Sequence, residues 1–412
     1  MNVLLINKFL YPRGGDALRT LETGNLLISK GHKVVFWGME HPLNPEYPYR
    51  DYFISHIDFN NPGGIKRQMQ IAFNMLYSLE AKKKIEKLIQ IEKPDIVHLH
   101  NFAHQISPSI LHVFKKYNIP VVMTMHDYKL VCASYAMLSK NKVCELCKNG
   151  RHYHCFLEGC VKDSKTKSLL NTIEMFLHHT ILHIYDLIDV FISPSMFLKN
   201  KMEEMGFRKK IFHLKFFIDL KLFQPQYNWI ENSIVYFGRL SREKGLFTLL
   251  DAVKDIPNVN LKIIGEGALK ESLVSEIRNR ALQNVQLVGF KSGEDLRNEI
   301  KKSMFIVVPS TWYENYPFTV VEGFALGKPV IGSRIGGITE MIQDHETGMT
   351  FEVANAEALR EKISVLLSNP EKIVSMGKKA RIFVEQELNV ERHYENLLGI
   401  YKQAIQKRHR TD

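Results

Sequence analysis

Short continuous apolar runs alternate with longer stretches whose apolar positions recur every three or four residues. Val3–Ile6 (VLLI) has the length of a buried strand. It is followed by a loop containing Gly14-Gly15 and then by Ala17–Ser29, which has helical spacing. Gly31-His32 ends that helix, and Lys33–Gly38 reads as the next strand. Pro94–His98 and Val121–Met125 read as further buried parallel strands, with a helix over Ser107–Tyr117 between them. Val190–Ser193 closes this half, and Gln68–Gln90 and Lys167–Asp186 are predicted as long helices.

The same grammar then restarts. Ser233–Phe237, Leu261–Ile264, Val285–Val288, Phe305–Val308 and Val330–Ile331 read as strands. Helices fit at Gly245–Val253, Leu269–Ala281, Phe318–Leu326 and Ala356–Ser368. The prediction is an α/β protein of two parallel-sheet, Rossmann-like domains facing across a cleft: residues 1–205, carrying a Cys-rich insertion near 140–162, and residues 206–382. The helical stretch Ile382–Arg408 is long enough for a tail, 383–412, that returns to the first domain. Ligands are expected at the carboxyl ends of the strands, where the two sheets face each other.

Composition narrows the class. The chain has 412 residues, 45% apolar and 24% charged, which excludes disorder, a collagen-like rod and a small disulfide scaffold. No run of 18 uninterrupted apolar residues marks a spanning helix. The net charge of +11 is uneven: 28 Lys and Arg face 19 Asp and Glu up to residue 210, and 27 face 25 beyond it. A basic first half suits an anionic substrate, an anionic membrane surface or nucleic acid. The last has no recognised module here. The amino terminus reads as a strand and not as a leader, and five cysteines is an odd number, so reduced thiols in the cytoplasm are expected.

The chemistry-bearing residues fall just after strands. Arg239 and Lys244, in Gly238–Gly245, follow a strand and precede a helix, where two fixed cations can hold a diphosphate; the bland reading is a solvated basic turn. Glu314 and Glu322 bracket seven residues after the strand Phe305–Val308. Pro317 suits a helix's first turn, so Glu322 lies about one turn into that helix between apolar neighbours, where it needs hydrogen-bond partners such as a ribose diol. Gly14-Gly15 lets the chain pass close to phosphate or sugar, but the spacing is not Gly-x-Gly-x-x-Gly, and no acidic residue ends the second strand, which argues against a dehydrogenase. His98, His100 and His126, the last followed by Asp127, cluster after strands of a half that holds 13 of the 17 histidines. Each either assists a leaving phosphate or merely ties loops together.

Cys144-x2-Cys147-x7-Cys155-x4-Cys160 gathers four thiols within 17 residues. The first pair has the spacing of a tetrahedral zinc site, so structural zinc is expected, with free thiols or disulfides as alternatives. Cys132 is expected to pack separately. The stretches Ile65–Gln90, with Lys66, Arg67, Lys82, Lys83, Lys84 and Lys87, and Lys165–Ile188 interleave apolar residues with basic ones or carry apolar residues densely. A reversible contact of the first domain with an anionic membrane follows as an expectation.

Together these strings resemble the glycosyltransferases of family 4, which have the GT-B fold. The matching pieces are Gly14-Gly15, His98-Leu99-His100-Asn101, His126-Asp127, Ser193-Pro194-Ser195, Gly238-Arg239 through Lys244-Gly245, Gly265-Glu266-Gly267 and the motif from Glu314 to Glu322. The resemblance implies a retaining enzyme that moves a sugar from a nucleotide sugar to a hydroxyl of a glycan or lipid-linked glycan, in cell-surface polysaccharide or lipopolysaccharide synthesis, without a catalytic metal. It implies catalytic roles for Glu314, His126, Arg239 and Lys244, and nucleotide-sugar contacts from Gly14, Gly15, Gly238, Gly265, Glu266, Phe290, Asn315 and Glu322. It also implies a cytoplasmic location, peripheral on the inner face of the membrane, and no nucleic-acid partner. The other readings are a transferase acting on a small soluble acceptor, an epimerase or phosphorylase of the same fold, and a basic zinc-containing nucleic-acid-binding protein. The chain departs from many relatives at Phe216-Phe217-Ile218-Asp219, where they read Asn-Gly-Val-Asp, at Asp16, and in the cysteine cluster.

Overall fold

The computed structural model describes residues 1–409 apart from Asn60, Pro62 and Pro257. Its strands are β1 (Asn2–Ile6), β2 (Lys33–Trp37), β3 (Ile96–Leu99), β4 (Val121–Thr124), β5 (Leu138–Ser139), β6 (Lys142–Val143), β7 (Val190–Ser193), β8 (Ile211–His213), β9 (Ser233–Phe237), β10 (Asn260–Ile264), β11 (Val285–Gly289), β12 (Phe305–Val308), β13 (Val330–Ser333) and β14 (Gly348–Phe351). The helices of the first half are α1 (Gly15–Ser29), α2 (Ile65–Leu76), α3 (Leu79–Glu92), α4 (Leu111–Lys116), α5 (Tyr153–Glu158), α6 (Lys165–Phe176) and α7 (Met196–Glu204). Those of the second are α8 (Leu246–Val253), α9 (Lys270–Asn279), α10 (Gly293–Lys301), α11 (Phe318–Ala325), α12 (Ile338–Met341), α13 (Ala356–Leu367), α14 (Pro370–Glu387) and α15 (Val390–His409).

Two six-stranded sheets form, ordered β2-β1-β3-β4-β7-β8 and β11-β10-β9-β12-β13-β14. All their pairings are parallel. Every residue of β3, β4, β7, β9, β12, β13 and β14 is buried, as strands covered by helices on both faces must be. In each sheet the chain reverses its direction of travel once, between β1 and β3 and between β9 and β12. Loops leaving the strands on either side of such a point diverge and open a crevice. Those loops hold Gly14-Gly15, His100, Arg239–Lys244 and Glu314.

Three predicted long helices are broken, two of them at a side-chain cap. Gln68–Gln90 divides into α2 and α3 at Tyr77-Ser78, where the Ser78 hydroxyl accepts from the Ala81 amide (3.1 Å) and starts a new helix. Lys167–Asp186 becomes α6, a π-helical turn over Leu177–Ile181 and a short 3-10 turn. The tail splits into α14 and α15 at Leu388-Asn389, with the Asn389 side chain accepting from the Arg392 amide (3.1 Å). Leu397, Ile400, Tyr401 and Ala404 of α15 pack with Val3, Leu5, Ile96 and Val122 of the first sheet, so the carboxyl-terminal helix does cross back. The first sheet also takes in β8, beyond the predicted boundary at residue 205.

The Cys-rich segment between β4 and β7 is a small β5–β6 hairpin followed by α5, which packs on α6. The four-thiol zinc site is not assembled in this geometry. Among the described residues no group of three or more His, Cys, Asp or Glu side chains is placed to hold a metal ion. The thiols pack differently: Cys147 lies beside Cys132, the residue expected to stand apart, whose Sγ also contacts the Ser134 hydroxyl (3.3 Å), and the Cys160 thiol donates to the Cys155 carbonyl (3.6 Å). Cys132, Cys147 and Cys155 face the apolar core, while Cys144 and Cys160 stay half-buried. Donation from Cys147 outweighs burial and lowers the Cys132 thiol to about 6, while the same bond raises Cys147.

Candidate functional site

The second-lobe half of the crevice is set by backbone proximity. Gly245 has φ +69°, and a Cβ there would lie 1.8 Å from the Pro309 carbonyl oxygen, so only glycine lets the loop after β9 lie against the loop after β12. The Thr311 amide donates to the Glu243 carbonyl (2.8 Å) and joins the two loops. Lys244 Nζ is thereby held 2.6 Å from Glu314 Oε1. The Ser310 hydroxyl donates to the same oxygen (2.6 Å), and the Gly337 amide donates to the Glu314 carbonyl (2.7 Å). Burial alone would raise Glu314. The charge of Lys244 and its hydrogen bond outweigh that and hold the carboxyl below its ordinary value.

Arg239 differs from Lys244 in being free to reach. Its side chain is 63% exposed, with only a 3.6 Å contact to Glu243. Gly238 and Gly265 carry φ values of +144° and +145°, and a Cβ on Gly265 would fall 1.9 Å from the Gly238 carbonyl oxygen. Glu266 pairs with Lys270 (2.8 Å), and Phe290 stands exposed just beyond β11.

Glu322 sits in the second turn of α11 beside residues that the sequence did not single out. Burial pushes it up to about 7, against the pull of the Arg19 and Arg297 charges. Arg19, from α1 of the first lobe, crosses the crevice: it donates to the Phe217 carbonyl (3.1 Å) and to Glu22 (2.6 Å) and lies 4.2 Å over the Phe318 ring. Burial likewise lifts Glu22 to about 7. Arg19 and Glu22 carry no signal in sequence, being two polar positions of an ordinary amphipathic helix. Gly14 and Gly15 open α1 opposite this group. A Cβ on Gly15 would meet Phe318 at an unremarkable 3.7 Å, so the protein itself leaves room there.

The first-lobe wall holds the histidines. His126 stacks on Phe216 (5.6 Å, 17°), and its Nε2 lies 2.9 Å from His100 Nδ1. Burial lowers it to about 4, so it is neutral at physiological pH. His98 ties Thr124 (2.7 Å) to Tyr401 of α15 (2.8 Å) and serves the fold. Phe216, in the segment that departs from the family string, packs against Tyr316 and Phe318 and so bridges both walls. Asn315, expected at the nucleotide sugar, has a side chain that spans the lobes: its Oδ1 accepts from the Ser195 hydroxyl (2.9 Å) and its amide donates to the Met125 carbonyl (3.4 Å). Glu340 accepts from the Met196 and Phe197 amides (3.0 and 2.9 Å), a second bond between lobes.

The arrangement is a polar crevice with one exposed cation and one buried cation–carboxylate pair on the second lobe and a neutral imidazole on the first-lobe wall. Such a set can neutralise a phosphate and hold hydroxyls, which is the equipment of a group-transfer enzyme on phosphorylated sugars. Comparison with known proteins agrees. The family model described as Glycosyltransferase Family 4 matches residues 13–222, and that described as Glycosyl transferases group 1 matches residues 221–383. An uncharacterized glycosyltransferase of Methanocaldococcus jannaschii is 27% identical over 307 residues, covering 74% of this chain and 75% of the relative. An uncharacterized 42.6 kDa protein in the cps region of Klebsiella pneumoniae is 28% identical over 365 residues, covering 83% and 87%. The crystal structure of HepE from Anabaena in complex with UDP-glucose superposes with a TM-score of 0.67 at 15% identity, covering 98% of this chain and 99% of that one. The chain belongs to the GT-B glycosyltransferases that these two models describe, with the Family 4 model over its first lobe and the group 1 model over its second.

Proposed function

We propose that the chain is a retaining glycosyltransferase that moves a sugar from a nucleoside diphosphate sugar to a hydroxyl of a glycan or lipid-linked glycan in cell-surface polysaccharide synthesis. The observation that carries the reading is the Lys244–Glu314 contact at the reversal point of the second sheet, with the exposed Arg239 side chain on the same loop as Lys244. In this reading Arg239 and Lys244 take the diphosphate, and Glu322 takes the ribose hydroxyls. Glu314 Oε1 is already engaged by Lys244 and Ser310, so the carboxylate suits a hydrogen-bond acceptor for the sugar better than a nucleophile. Neutral His126 offers a hydrogen bond to the sugar from the opposite wall. As the bond from the anomeric carbon to the β-phosphate oxygen breaks, negative charge grows on that oxygen where the cations already stand. The acceptor oxygen bonds to the anomeric carbon on the face the phosphate leaves, and its proton passes to the departing phosphate. UDP-glucose in the structurally similar HepE supports the donor class, and the cps-region relative supports the setting.

The test is a panel of nucleotide sugars with soluble and lipid-linked acceptors, followed by product NMR. Transfer with the donor's anomeric configuration kept is expected. An inverted product overturns retention, and the absence of both transfer and nucleotide binding overturns the whole reading.

A further inference from the structure

Both chain neighbours of Glu314 reach out of their own lobe. On one side, the Asn315 amide donates to the carbonyl of Met125, the residue before His126 (3.4 Å). On the other, Tyr313 enters a recess of the first lobe. Its hydroxyl donates to Glu145 Oε1 (2.8 Å), and its ring lies 5.1 Å from that of Phe197 on α7. Its main-chain carbonyl accepts from the hydroxyl of Tyr128, two residues after His126 (3.2 Å). The neighbours of Glu314 are thus bonded to the chain on both sides of His126.

Glu145 comes from the Cys-rich segment between β4 and β7. The Cys144 amide donates to the Met137 carbonyl (2.9 Å) and closes the β5–β6 hairpin. The Asn149 amide donates to the Met205 carbonyl (2.8 Å) at the end of α7, so the segment is tied down on both sides of Glu145. Lys201 of α7 donates to the same Glu145 oxygen (2.8 Å) and lies 5.1 Å over the Tyr313 ring. Burial would raise the Glu145 carboxyl, but the bonds from Lys201 and Tyr313 outweigh it and hold it below its ordinary value. The phenol therefore meets an ionised acceptor, which makes a stronger and more directional bond than a neutral one.

We propose that Tyr313 is a positioning residue for the transfer reaction: the Cys-rich segment grips its phenol through Glu145, and this grip sets Glu314 in register with the first-lobe loop that carries His126. The catalytic consequence rests on the glycosyl transfer proposed above; the grip itself does not. Within its own lobe Glu314 is held by Lys244, Ser310 and Gly337. Those contacts orient the carboxylate on the second lobe and say nothing of its place relative to the first. Only the bonds of Tyr313 and Asn315 do that. A misplacement of about 1 Å can cost a reaction about a hundredfold. With the Asn315 bonds still in place, loss of the Tyr313 grip should cost less, about tenfold.

The experiment measures kcat and donor KM for transfer, the UDP-dependent thermal shift, and amide hydrogen exchange over residues 309–317, all in the full chain. Tyr313→Phe and Glu145→Ala should each lower kcat about tenfold. Donor KM and the UDP response should stay near the parent's, because the diphosphate cations belong to the second lobe. Exchange over 309–317 should speed up severalfold. Glu145→Gln keeps an acceptor oxygen for the phenol and should restore kcat to within about twofold of the parent. Tyr313→Phe combined with Glu145→Ala should be no slower than either alone, since both remove one bond. Glu158→Ala breaks the Lys140–Glu158 pair (2.9 Å) elsewhere on the segment and should leave kcat unchanged. A kcat within twofold of the parent in Tyr313→Phe overturns the proposal, as do losses that multiply in the double variant. Equal loss in Glu158→Ala also overturns it, because the segment then serves folding alone. Unchanged exchange in Glu145→Ala overturns the grip whatever the enzyme does. Faster exchange there, in a protein whose parent shows neither transfer nor UDP response, keeps the grip and overturns the transferase reading instead.

Discussion

Replacing Lys244 with Ala separates what the residue does for the fold from what it does for the reaction. Glu314 is 7% exposed, and its charge is met by Lys244 at 2.6 Å and by the Ser310 hydroxyl. Removing the ammonium leaves a buried carboxylate with one neutral donor. Breaking a buried pair costs about 3–5 kcal/mol, and the lower end applies because the Lys244 side chain is 19% exposed and water can enter, so ~3 kcal/mol is expected. The double variant Lys244→Ala/Glu314→Gln carries no charge to strand, and the amide keeps the Ser310 contact. It should recover most of that loss, leaving a deficit of about 1 kcal/mol. Denaturant unfolding followed by tryptophan emission reads this directly, since Trp312 lies 5.5 Å from the ammonium. The pH dependence adds a sign. Glu314 is depressed in the folded parent, so its contribution is full above the unfolded carboxyl value and is lost as pH falls through the folded one. In Lys244→Ala burial acts with less opposition and raises the carboxyl, so the gap between parent and variant narrows on acidification. Transfer should behave differently: both variants lose about 3 kcal/mol of transition-state stabilisation, because the amide rescues the fold but not the missing cation. Equal destabilisation of the single and double variants, or a gap that does not change with pH, refutes the electrostatic argument. Transfer within threefold of the parent in Lys244→Ala refutes the catalytic assignment.

Four further outcomes are expected. Glu322 has its folded value raised to about 7, so its stability contribution is full below the unfolded carboxyl value and falls as pH rises through 7; Glu322→Gln should therefore gain up to about 2 kcal/mol near pH 8 and nothing near pH 4 in thermal melts, while UDP affinity drops. His126 is lowered to about 4, so the pH–rate profiles of the parent and of His126→Gln should share their shape between about pH 5.5 and 8, whatever their height; a step near 6.5 present only in the parent contradicts this. Gly245→Ala forces a Cβ onto the Pro309 carbonyl and should cost more than about 2 kcal/mol and displace Lys244, whereas Gly31→Ala, at φ +80° with no neighbour within 4 Å, should cost only about 1 kcal/mol. Thiol titration of the native chain should modify half-buried Cys144 and Cys160 before Cys147 and Cys155, and mass mapping that finds Cys155 first would contradict the core placement.

Much of the architecture was legible because strands buried on both faces need no partner to announce themselves. VLLI, VVMTM and FIVV read as parallel strands by their apolar continuity, and the residues that follow them line the crevice because a parallel sheet sends its loops to one end. The glycines at 238 and 265 belong to the same class of signal, since φ near +145° is a region left to glycine, whereas at Gly245 it is the close approach of the Pro309 carbonyl that excludes a Cβ. The sequence could not say which side chains meet across the lobes. Arg19 beside Glu322, Ser195 on Asn315 and Glu340 on α7 join positions more than a hundred residues apart, and each is an unexceptional polar residue on its own element. The helix breaks at Ser78 and Asn389 are local caps, and a single capping residue inside a long apolar periodicity is too weak a signal to mark a break. The cysteines show the limit most plainly. Their spacing along the chain groups Cys144 with Cys147, yet Cys147 lies beside Cys132, because the β5–β6 hairpin between those two folds the chain back and sets both in one core.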